Sequence, residues 1–255
     1  MISFVFQYIK TNIPGPNLDL ELFEEEYAGC DCQKCDQIDF HLRLCSCITT
    51  TGLNYRDNKL LSEIFENVES KPILECNSNC SCSKTCHNRL VQKGIQIKLE
   101  VFDAGIKGLG LRTLEIIPRG TFVCEYAGEI LTKSEAAKRC QNLLPSDMNY
   151  LMVLQEHCSS GLLQTFVDPK FKGNIGRWLN HSCQPNLTMF PVRINISVPR
   201  LALFANRDIK PLEELTFNYG VSAQLGARVS ANRKKCFCGS KDCQELLPFD
   251  AGLCS

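Results

Sequence analysis

The sequence predicts a β-rich α+β protein built from small curved sheets and flanked by two cysteine-rich metal modules. Short apolar segments separated by Gly, Pro and Asn turns are typical of many short strands with few helices. Nine cysteines lie between Cys30 and Cys86, and three more lie between Cys236 and Cys243. The 255 residues are enough to bury a core as one large domain or two small ones.

The charge balance argues against bulk binding to nucleic acid or membranes, because 28 Lys and Arg residues offset 28 Asp and Glu residues. An acidic run in residues 17–29 and basic residues from Arg228 to Lys241 are each interpreted as solvated faces. The first ten residues lack a small-residue cleavage site, and no apolar run is long enough to span a bilayer. These features predict a protein of a reducing compartment.

The nine cysteines of the first group favour zinc over disulfides. An odd number cannot pair completely, and the repeated CxC spacing suits metal better than disulfide geometry. Three zinc ions fit if three sulfurs each bridge two metals, because six terminal and three bridging ligands make twelve bonds, or four per zinc. Independent four-cysteine sites with one spare thiol remain the alternative. In either case the metal serves as a scaffold, since closed four-sulfur sites leave no open position for chemistry.

Several segments outside the cysteines carry local structural signals. Pro14-Gly15-Pro16 indicates that residues 1–29 form an extended arm laid over the cysteine module. The apolar spacing of residues 60–68 predicts a short helix or an ordered loop, ended by Pro72. Alternation from Ile95 to Val101 predicts a strand, and the glycines at 105, 108 and 110 predict the loop that follows.

The second half of the chain continues this pattern. Residues 122–126 predict a strand, and the capping box of Thr132 and Glu135 opens a helix through about Leu143, stopped by residues 145–147. Tyr150 stands at the head of an apolar strand over residues 151–154. Further strands are predicted near residues 165–167, 201–205 and 214–217. Cys124 is expected to be a buried small hydrophobe, and the sequence marks Cys140, Cys158 and Cys254 as ordinary thiols.

The segment Gly173–Cys183, with the sequence GNIGRWLNHSC, is the feature around which the chain is organised. On its own, the Asn180-His181 pair between apolar residues has two equally good explanations. It is either a functional site or a helix end capped by Asn180. Further along the chain comes LTFNYG, beginning at Leu215, and then the CxC-x4-C spacing that begins at Cys236. Together these marks resemble the SET-domain protein lysine methyltransferases.

This resemblance spans residues 14–250 and implies an order of modules. A 1–29 arm precedes a 30–93 pre-SET module with a triangular zinc cluster. A 94–222 SET domain follows, in which the segments carrying Asn180 and Tyr219 form a pseudoknot. The 223–255 post-SET tail closes the order, with a fourth zinc. The predicted zinc ligands are Cys30, Cys32, Cys35, Cys45, Cys47, Cys76, Cys80, Cys82 and Cys86 in the cluster, and Cys183, Cys236, Cys238 and Cys243 in the tail site.

The resemblance also implies the site residues. S-adenosylmethionine is expected to contact a set that surrounds the pocket: Lys107, Gly108, Leu109, Tyr150, Arg177, Asn180, His181 and Phe237. Leu109 departs from the family, which usually has Trp between the two glycines of this loop, so one flat contact to the donor is lost. The predicted catalytic residues are Tyr219, Tyr150 and Phe217, of which Phe217 occupies the position that tunes the number of methyl groups added.

The leading expectation is therefore a zinc-scaffolded histone lysine methyltransferase of the nucleus and chromosome. Its expected partners are a histone tail, of histone H3 by resemblance, and chromatin, with no membrane and no direct nucleic-acid site. Two alternatives belong to other classes. One is a catalytically weak SET-like module that binds a histone tail, and the other is a zinc-based nucleic-acid binder. The neutral charge and the absence of a basic recognition helix after the cysteines argue against the latter.

Overall fold

The computed structural model describes residues 6–24, 26–33, 35, 45–49, 51–66, 72–144, 146–158, 161–220, 233–248 and 253, and the side chain of Cys158 lies outside this set. The predictions for Val68, Arg228 and Cys254 therefore fall outside the described residues. None of the helices in these ranges combines the length and apolar content that spanning a bilayer requires.

Short strands dominate the described residues, which confirms the prediction of a β-rich fold. They are β1 (Gln7–Tyr8), β2 (Ile13–Pro14), β3 (Tyr55–Arg56), β4 (Lys59–Leu60), β5 (Ile73–Leu74), β6 (Leu99–Asp103), β7 (Leu109–Thr113), β8 (Phe122–Glu125), β9 (Glu129–Leu131), β10 (Met152–Cys158), β11 (Gly161–Asp168), β12 (Lys172–Gly173), β13 (Asn180–His181), β14 (Leu187–Arg193), β15 (Arg200–Ala205) and β16 (Glu214–Phe217). The α-helices are α1 (Glu21–Glu24), α2 (Ser46–Thr49), α3 (Ser62–Glu66) and α4 (Lys133–Gln141). Short 3-10 helices span Val91–Lys93, Gly105–Lys107 and Ile175–Trp178.

Three four-stranded sheets surround the main core. Their strand orders are β10-β11-β9-β2, β13-β16-β7-β6 and β5-β14-β15-β8. The core between them includes fully buried residues from several strands, such as Leu111, Val123, Leu203 and Leu215. Burying a large aliphatic side chain contributes about 1.5–3 kcal/mol, so this shared core is what holds the short strands together.

Helix α4 begins as predicted but ends two residues earlier. The Thr132 hydroxyl accepts the backbone N–H of Glu135 at 3.2 Å, which confirms Thr132 as the N-cap, while the Glu135 carboxylate pairs with Arg139. Near the end of α4, Arg139 donates to the buried carboxylates of Glu129 and Asp168 at 3.0 and 2.8 Å. This network fixes the helix against β9 and β11.

The N-terminal arm lies mainly against strands β9 and β12, which follow the cysteine module in the chain. Its predicted position over the cysteine module is therefore wrong. Strand β1 pairs in parallel with β12, and β2 pairs in parallel with β9. The arm reaches the cysteine module further along, where the Asn77 side chain donates to the carbonyls of Tyr27 and Ala28. An extended arm satisfies its backbone groups at sheet edges, and hydrophobic periodicity does not reveal which edge it joins.

Two other predicted elements begin at different residues in the structure than the sequence pattern predicts. The helix or ordered loop expected over residues 60–68 contains helix α3, which begins only at Ser62 because Leu60 already pairs with Tyr55 in the β3–β4 hairpin. The strand expected from Ile95 begins at Leu99, where its pairing with β7 begins.

The cysteines outside the metal patterns differ from one another in burial and in disulfide bonding. Cys124 is fully buried, as predicted. Cys140 is disulfide-bonded, so its assignment as an ordinary thiol is wrong. Its sequence spacing carries no signal of pairing, because a disulfide depends on distances across the fold rather than along the chain.

A buried carboxylate links separate segments of the cysteine module to one another. Glu75 is 2% exposed, and its two oxygens accept the backbone N–H groups of Leu90, Val91 and Gln92 as well as the hydroxyl of Tyr55. This satisfies the charge that burial would otherwise make costly. The preceding strand β5 pairs with β14, so the module continues one of the main sheets.

Glu125 should make stability depend on pH. Burial raises the pKa of its carboxyl from about 4.5 to about 7, against the opposing effects of Arg200 and the Thr11 hydroxyl. The unfolded chain therefore loses this proton at lower pH than the folded chain does. Stability should fall as pH rises from about 4.5 to 7, by about 2 kcal/mol between pH 5.5 and 7.

Glu125→Gln removes this titration while retaining an oxygen for Thr11. Denaturant titrations of both proteins with zinc present at pH 5.5 and 7 measure the difference. The variant should gain about 2 kcal/mol relative to the native chain across this interval. A constant difference between the two proteins would contradict the assignment.

Candidate functional site

Strands β13 and β16 bring two distant segments side by side. They pair in parallel with Asn180 opposite Thr216 and His181 opposite Phe217. The backbone N–H of Ser182 then donates to the carbonyl of Phe217 at 3.1 Å. Asn180 therefore lies in a strand, and the alternative of a helix end capped by this residue is excluded. This pairing brings the NHSC segment, residues 180–183, into contact with the FNYG segment, residues 217–220.

Tyr219 is held on both sides by the β13 segment. Its hydroxyl donates to the carbonyl of Leu179 at 2.7 Å, and its backbone N–H donates to Nδ1 of His181 at 3.2 Å. Burial raises the pKa of the Tyr219 phenol well above its usual range, with smaller contributions from Tyr150 and Glu214. The hydroxyl is therefore neutral at physiological pH and can orient a group by hydrogen bonding.

Phe217 and Tyr126 complete an aromatic cluster with Tyr219. The ring centroids of Phe217 lie 4.9 Å from Tyr219 and 5.7 Å from Tyr126, and Phe217 is 1% exposed. The sequence analysis interpreted Tyr126 only as a strand residue and missed it. A buried tyrosine needs a partner for its hydroxyl, and here Tyr126 donates to the carbonyl of Tyr150 at 2.5 Å.

Asn180 contacts the backbone of the predicted loop at residues 107–110. It also contacts the carboxylate of Glu214, a residue of β16 that was not predicted to belong to the site. The Asn180 amide donates to the carbonyl of Leu109 at 3.2 Å and to Oε1 of Glu214 at 3.0 Å. The ammonium of Lys107 pairs with the other oxygen of Glu214. Gly108 has φ of +78°, a conformation that glycine adopts at little cost. Glu214 thus links two predicted donor-site residues, Lys107 and Asn180, although the sequence marked it only as part of a strand.

Arg177 and Tyr150 meet on the other flank of the site. The Arg177 guanidinium lies 4.5 Å from the Tyr150 ring, 4.3 Å from the Trp178 ring and 4.5 Å from the Phe6 ring. The bond between Tyr126 and the Tyr150 carbonyl connects this flank to the aromatic cluster. The structure therefore brings together the predicted residues of both flanks, while the contribution of Phe6 was not expected.

The side chain of His181 is occupied by the protein itself. Its Nδ1 accepts from Tyr219, and its Nε2 lies 3.4 Å from the sulfur of Cys183. Burial lowers the pKa of the imidazole, so the ring is neutral. The predicted contact of this residue with a ligand must therefore use its backbone, and its ring instead positions Tyr219.

The tail cysteines converge with Cys183 as predicted. The sulfurs of Cys183, Cys236, Cys238 and Cys243 all lie within 4.8 Å of one another. The distance from Cys183 to Cys236 is 3.9 Å, close to the edge of about 3.8 Å that tetrahedral zinc–sulfur bonds of ~2.3 Å imply. The donor set and its spacing fit zinc. Phe237, between two of these cysteines, is 46% exposed.

The nine cysteines of the first group form one continuous cluster. Each belongs to at least one group of four sulfurs that lie within 4.8 Å, and the groups overlap at Cys30, Cys35, Cys45, Cys76 and Cys82. Sulfur separations of 3.7 and 3.8 Å recur, as in Cys47–Cys80 and Cys30–Cys35. Several cysteines belong to more than one group of four. Sulfurs that bridge two metal ions therefore explain this arrangement better than independent four-cysteine sites do. Arg89 donates to the sulfur of Cys82 at 3.4 Å and places positive charge beside the thiolates.

A cavity of about 310 Å³ lies elsewhere, between α4 and the segment from Asp168 to Phe171. Its lining shares Tyr150 with the predicted site residues. The contacts among Lys107, Asn180, Glu214 and Tyr219 therefore define the candidate site better than this cavity does.

Comparison with known proteins agrees with this geometry. The SET domain family model matches residues 108–220, and the Pre-SET motif model matches residues 2–89. The histone-lysine N-methyltransferase SETMAR is 46% identical in Homo sapiens and 44% identical in Rattus norvegicus, each over 97% of this chain. The matched part is 37% of the human protein and 81% of the rat protein. An H3 lysine-9 specific histone-lysine N-methyltransferase of Schizosaccharomyces pombe is 41% identical over 69% of this chain and 38% of its own length.

Solved structures give the same result. The crystal structure of the methyltransferase domain of human SETMAR has a TM-score of 0.81 and 44% identity, covering 96% of this chain and 90% of that one. KRYPTONITE in complex with mCHH DNA, H3(1–15) peptide and SAH has a TM-score of 0.73 and 28% identity, covering 95% and 47% respectively. These matches confirm the resemblance to SET-domain methyltransferases seen in the sequence.

Proposed function

This chain belongs to the SET-domain family of histone-lysine methyltransferases, and from that premise we propose that it transfers methyl groups from S-adenosylmethionine to a lysine of histone H3, beyond the monomethyl state. The observation that carries the proposal is the pairing of β13 with β16, which places two half-sites side by side. The polar half contains Lys107, Asn180 and Glu214, and the aromatic half contains Phe217 and Tyr219.

The polar half and the Arg177 flank suit the donor. S-adenosylmethionine, when bound, supplies a methyl group activated by a positively charged sulfur. The Leu109 backbone and Asn180 form one wall, and the Tyr150 ring and Arg177 form the other. We assign Lys107, Gly108, Leu109, Tyr150, Arg177, Asn180, His181 and Phe237 to donor binding, and we add Glu214, whose carboxylate orients Lys107 and Asn180. Leu109 covers the donor as an aliphatic contact in place of the aromatic one usual in the family.

The aromatic half suits the acceptor lysine. A free lysine has a pKa of ~10.4, so the amine must lose its proton before it attacks the methyl group. The raised pKa values of Tyr126 and Tyr219 keep both phenols neutral, and no phenolate is present to hold the amine in its charged form. The rings admit the lysine, and the Tyr219 hydroxyl with the Leu179 carbonyl aligns its nitrogen. Such alignment can lower a barrier by several kcal/mol.

The assignment to histone H3 and the nucleus rests on the named relatives. One relative is H3 lysine-9 specific, and one structural neighbour holds an H3 peptide. A chromosomal enzyme that acts on the H3 tail within chromatin follows from them. The alternative, a SET-like module that binds a histone tail with little turnover, is favoured by one observation, the exposed Leu109 at the donor loop. A radiolabelled methyl-transfer assay on histones separates the two, because a binding module would leave histone H3 unlabelled.

Tyr219→Phe removes one hydroxyl and little volume, so the fold should persist. Methyl transfer to an H3 peptide should fall about 100-fold or more, the loss seen when one oriented hydrogen-bonding group is removed from an active site. The matched control is Tyr8→Phe, which deletes a hydroxyl from a 59% exposed side chain and should leave the rate unchanged. Near-native turnover of Tyr219→Phe would show that this hydroxyl has no catalytic role.

Asn180→Ala should act differently and weaken donor binding, as measured by calorimetry.

Phe217 should set the number of methyl groups. Phenylalanine leaves space beside Tyr126 and Tyr219 in which a methylated amine can rotate, so we expect di- or trimethyl-lysine from the native enzyme. Phe217→Tyr adds a hydroxyl that can hold the amine or a water, and monomethyl-lysine should then dominate. Mass spectrometry of a histone peptide under excess donor measures both.

Because Phe217 is fully buried, the added oxygen can also cost about 1–3 kcal/mol of stability. Thermal unfolding of Phe217→Tyr is therefore measured in parallel, with Phe102→Tyr on β6 as the control for product state. A native enzyme that stops at one methyl group would refute the assignment of Phe217.

For the metal sites, we propose three zinc ions in the first cluster and one in the tail. Elemental analysis of pure protein should give about four zinc ions per chain on the four-ligand rule. Cys183→Ser removes a ligand of the tail site and should lower the value to about three. Cys124→Ser changes a buried thiol outside both groups and should leave it at about four. A native value of one or two would contradict the shared-sulfur cluster.

A further inference from the structure

We propose that the N-terminal arm is part of the donor site, with Phe6 as a positioning residue that holds Arg177 in place. This inference rests on the proposed function, because it concerns the flank assigned to S-adenosylmethionine. Phe6 lies more than 160 residues before Arg177 in the chain, so only the fold brings the two residues together.

Aromatic contacts, rather than hydrogen bonds, fix the position of Arg177. Its guanidinium carbon lies 4.3–4.5 Å from the centroids of three rings, those of Phe6, Tyr150 and Trp178. By contrast, its Nη2 reaches the Lys170 carbonyl at 3.4 Å, a long hydrogen bond, and its Nε is buried with no partner among the described residues. A cation over an aromatic face gains about 0.5–2 kcal/mol, depending on how far it is desolvated.

The strand that follows Phe6 fixes where this ring lies. The backbone N–H groups of Gln7 and Ile9 donate to the carbonyls of Phe171 and Gly173, both at 2.9 Å. These carbonyls immediately precede the 3-10 helix Ile175–Trp178, which carries Arg177. The arm and Arg177 are therefore joined twice, through the backbone of β1 and β12 and through the ring of Phe6.

Loss of the Phe6 ring should act on the donor side in preference to the lysine side. Arg177 also contacts Tyr150, and both residues are assigned to the donor pocket. Phe217 and Tyr219 pack against each other and against Tyr126 and His181, without Phe6. Without its third ring, Arg177 becomes free to leave the Tyr150 face, and the pocket loses an ordered positive charge that the donor's carboxylate would meet.

The test compares Phe6→Ala with two further variants of the complete chain. Phe6→Tyr keeps an aromatic face, and Tyr8→Ala removes an exposed aromatic side chain from the same arm. We expect Phe6→Ala to weaken binding of S-adenosylhomocysteine about tenfold in calorimetry and to raise KM for S-adenosylmethionine similarly. Its kcat at saturating donor should stay within about twofold of the native value. Phe6→Tyr should restore affinity, and Tyr8→Ala should retain it.

A second readout comes from Trp178, the only tryptophan of the chain. The Phe6 and Trp178 ring centroids are 6.4 Å apart, so its fluorescence reports on this cluster directly. The emission maximum should shift in Phe6→Ala without donor and remain native in Tyr8→Ala. If Phe6→Ala fails to fold, Phe6→Leu retains apolar bulk without an aromatic face, and the same loss of affinity is expected from it.

The outcomes separate this inference from the proposed function. Native donor affinity or native Trp178 emission in a folded Phe6→Ala or Phe6→Leu variant would overturn the role of Phe6 alone. An equal fall in kcat and donor affinity, unrelieved by Phe6→Tyr, would indicate a merely structural arm and also overturn it. A native chain that binds neither S-adenosylmethionine nor S-adenosylhomocysteine would overturn the proposed function and this inference together.

Discussion

The parallel pairing of β13 with β16 is the constraint on which the rest of the site depends. Two residues of each strand form the ladder, which is too short to be stable by itself. Side chains extend it. Asn186 accepts the N–H of Thr216 at 2.8 Å and donates to the carbonyl of Glu214 at 2.8 Å. With the bond from Tyr219 to His181, the interaction covers β16 from its first residue to the segment beyond its end.

This pairing explains why the donor and acceptor sides share one wall. Asn180 and His181 are neighbours in sequence, yet Asn180 contacts the Leu109 loop and His181 contacts Tyr219. Glu214 and Tyr219, at opposite ends of the β16 segment, are tied to these two residues respectively. A shift of either strand by one residue would exchange the two sides, because successive side chains on a strand point in opposite directions. The register of a two-residue ladder therefore sets how the proposed donor side lies relative to the proposed lysine side.

The sequence predicted the local features well and the long-range contacts poorly. The cap at Thr132 and the CxC spacings of the cysteine groups are encoded within a few residues. The positions of Tyr126, Glu214 and Phe6 depend on which strands meet, and hydrophobic periodicity carries no information about partners. Strand β14 was missed for a related reason: Pro191 interrupts its pattern, yet the strand pairs along six residues of β15.

The two halves of the site also differ in how complete they are before ligands bind. Phe217 and Tyr126 are buried, so the lysine side is preformed by the same core that holds the sheets together. Leu109 and Phe237 are 48% and 46% exposed. Leu109 is the first residue of β7, just after the 3-10 turn Gly105–Lys107, and Phe237 lies between two cysteines of the tail group. Exposed apolar side chains of this kind gain about 25 cal/mol for each Å² that a ligand covers. Under the proposed assignment, a bound donor would therefore order its own pocket, while the aromatic acceptor side would need no such rearrangement.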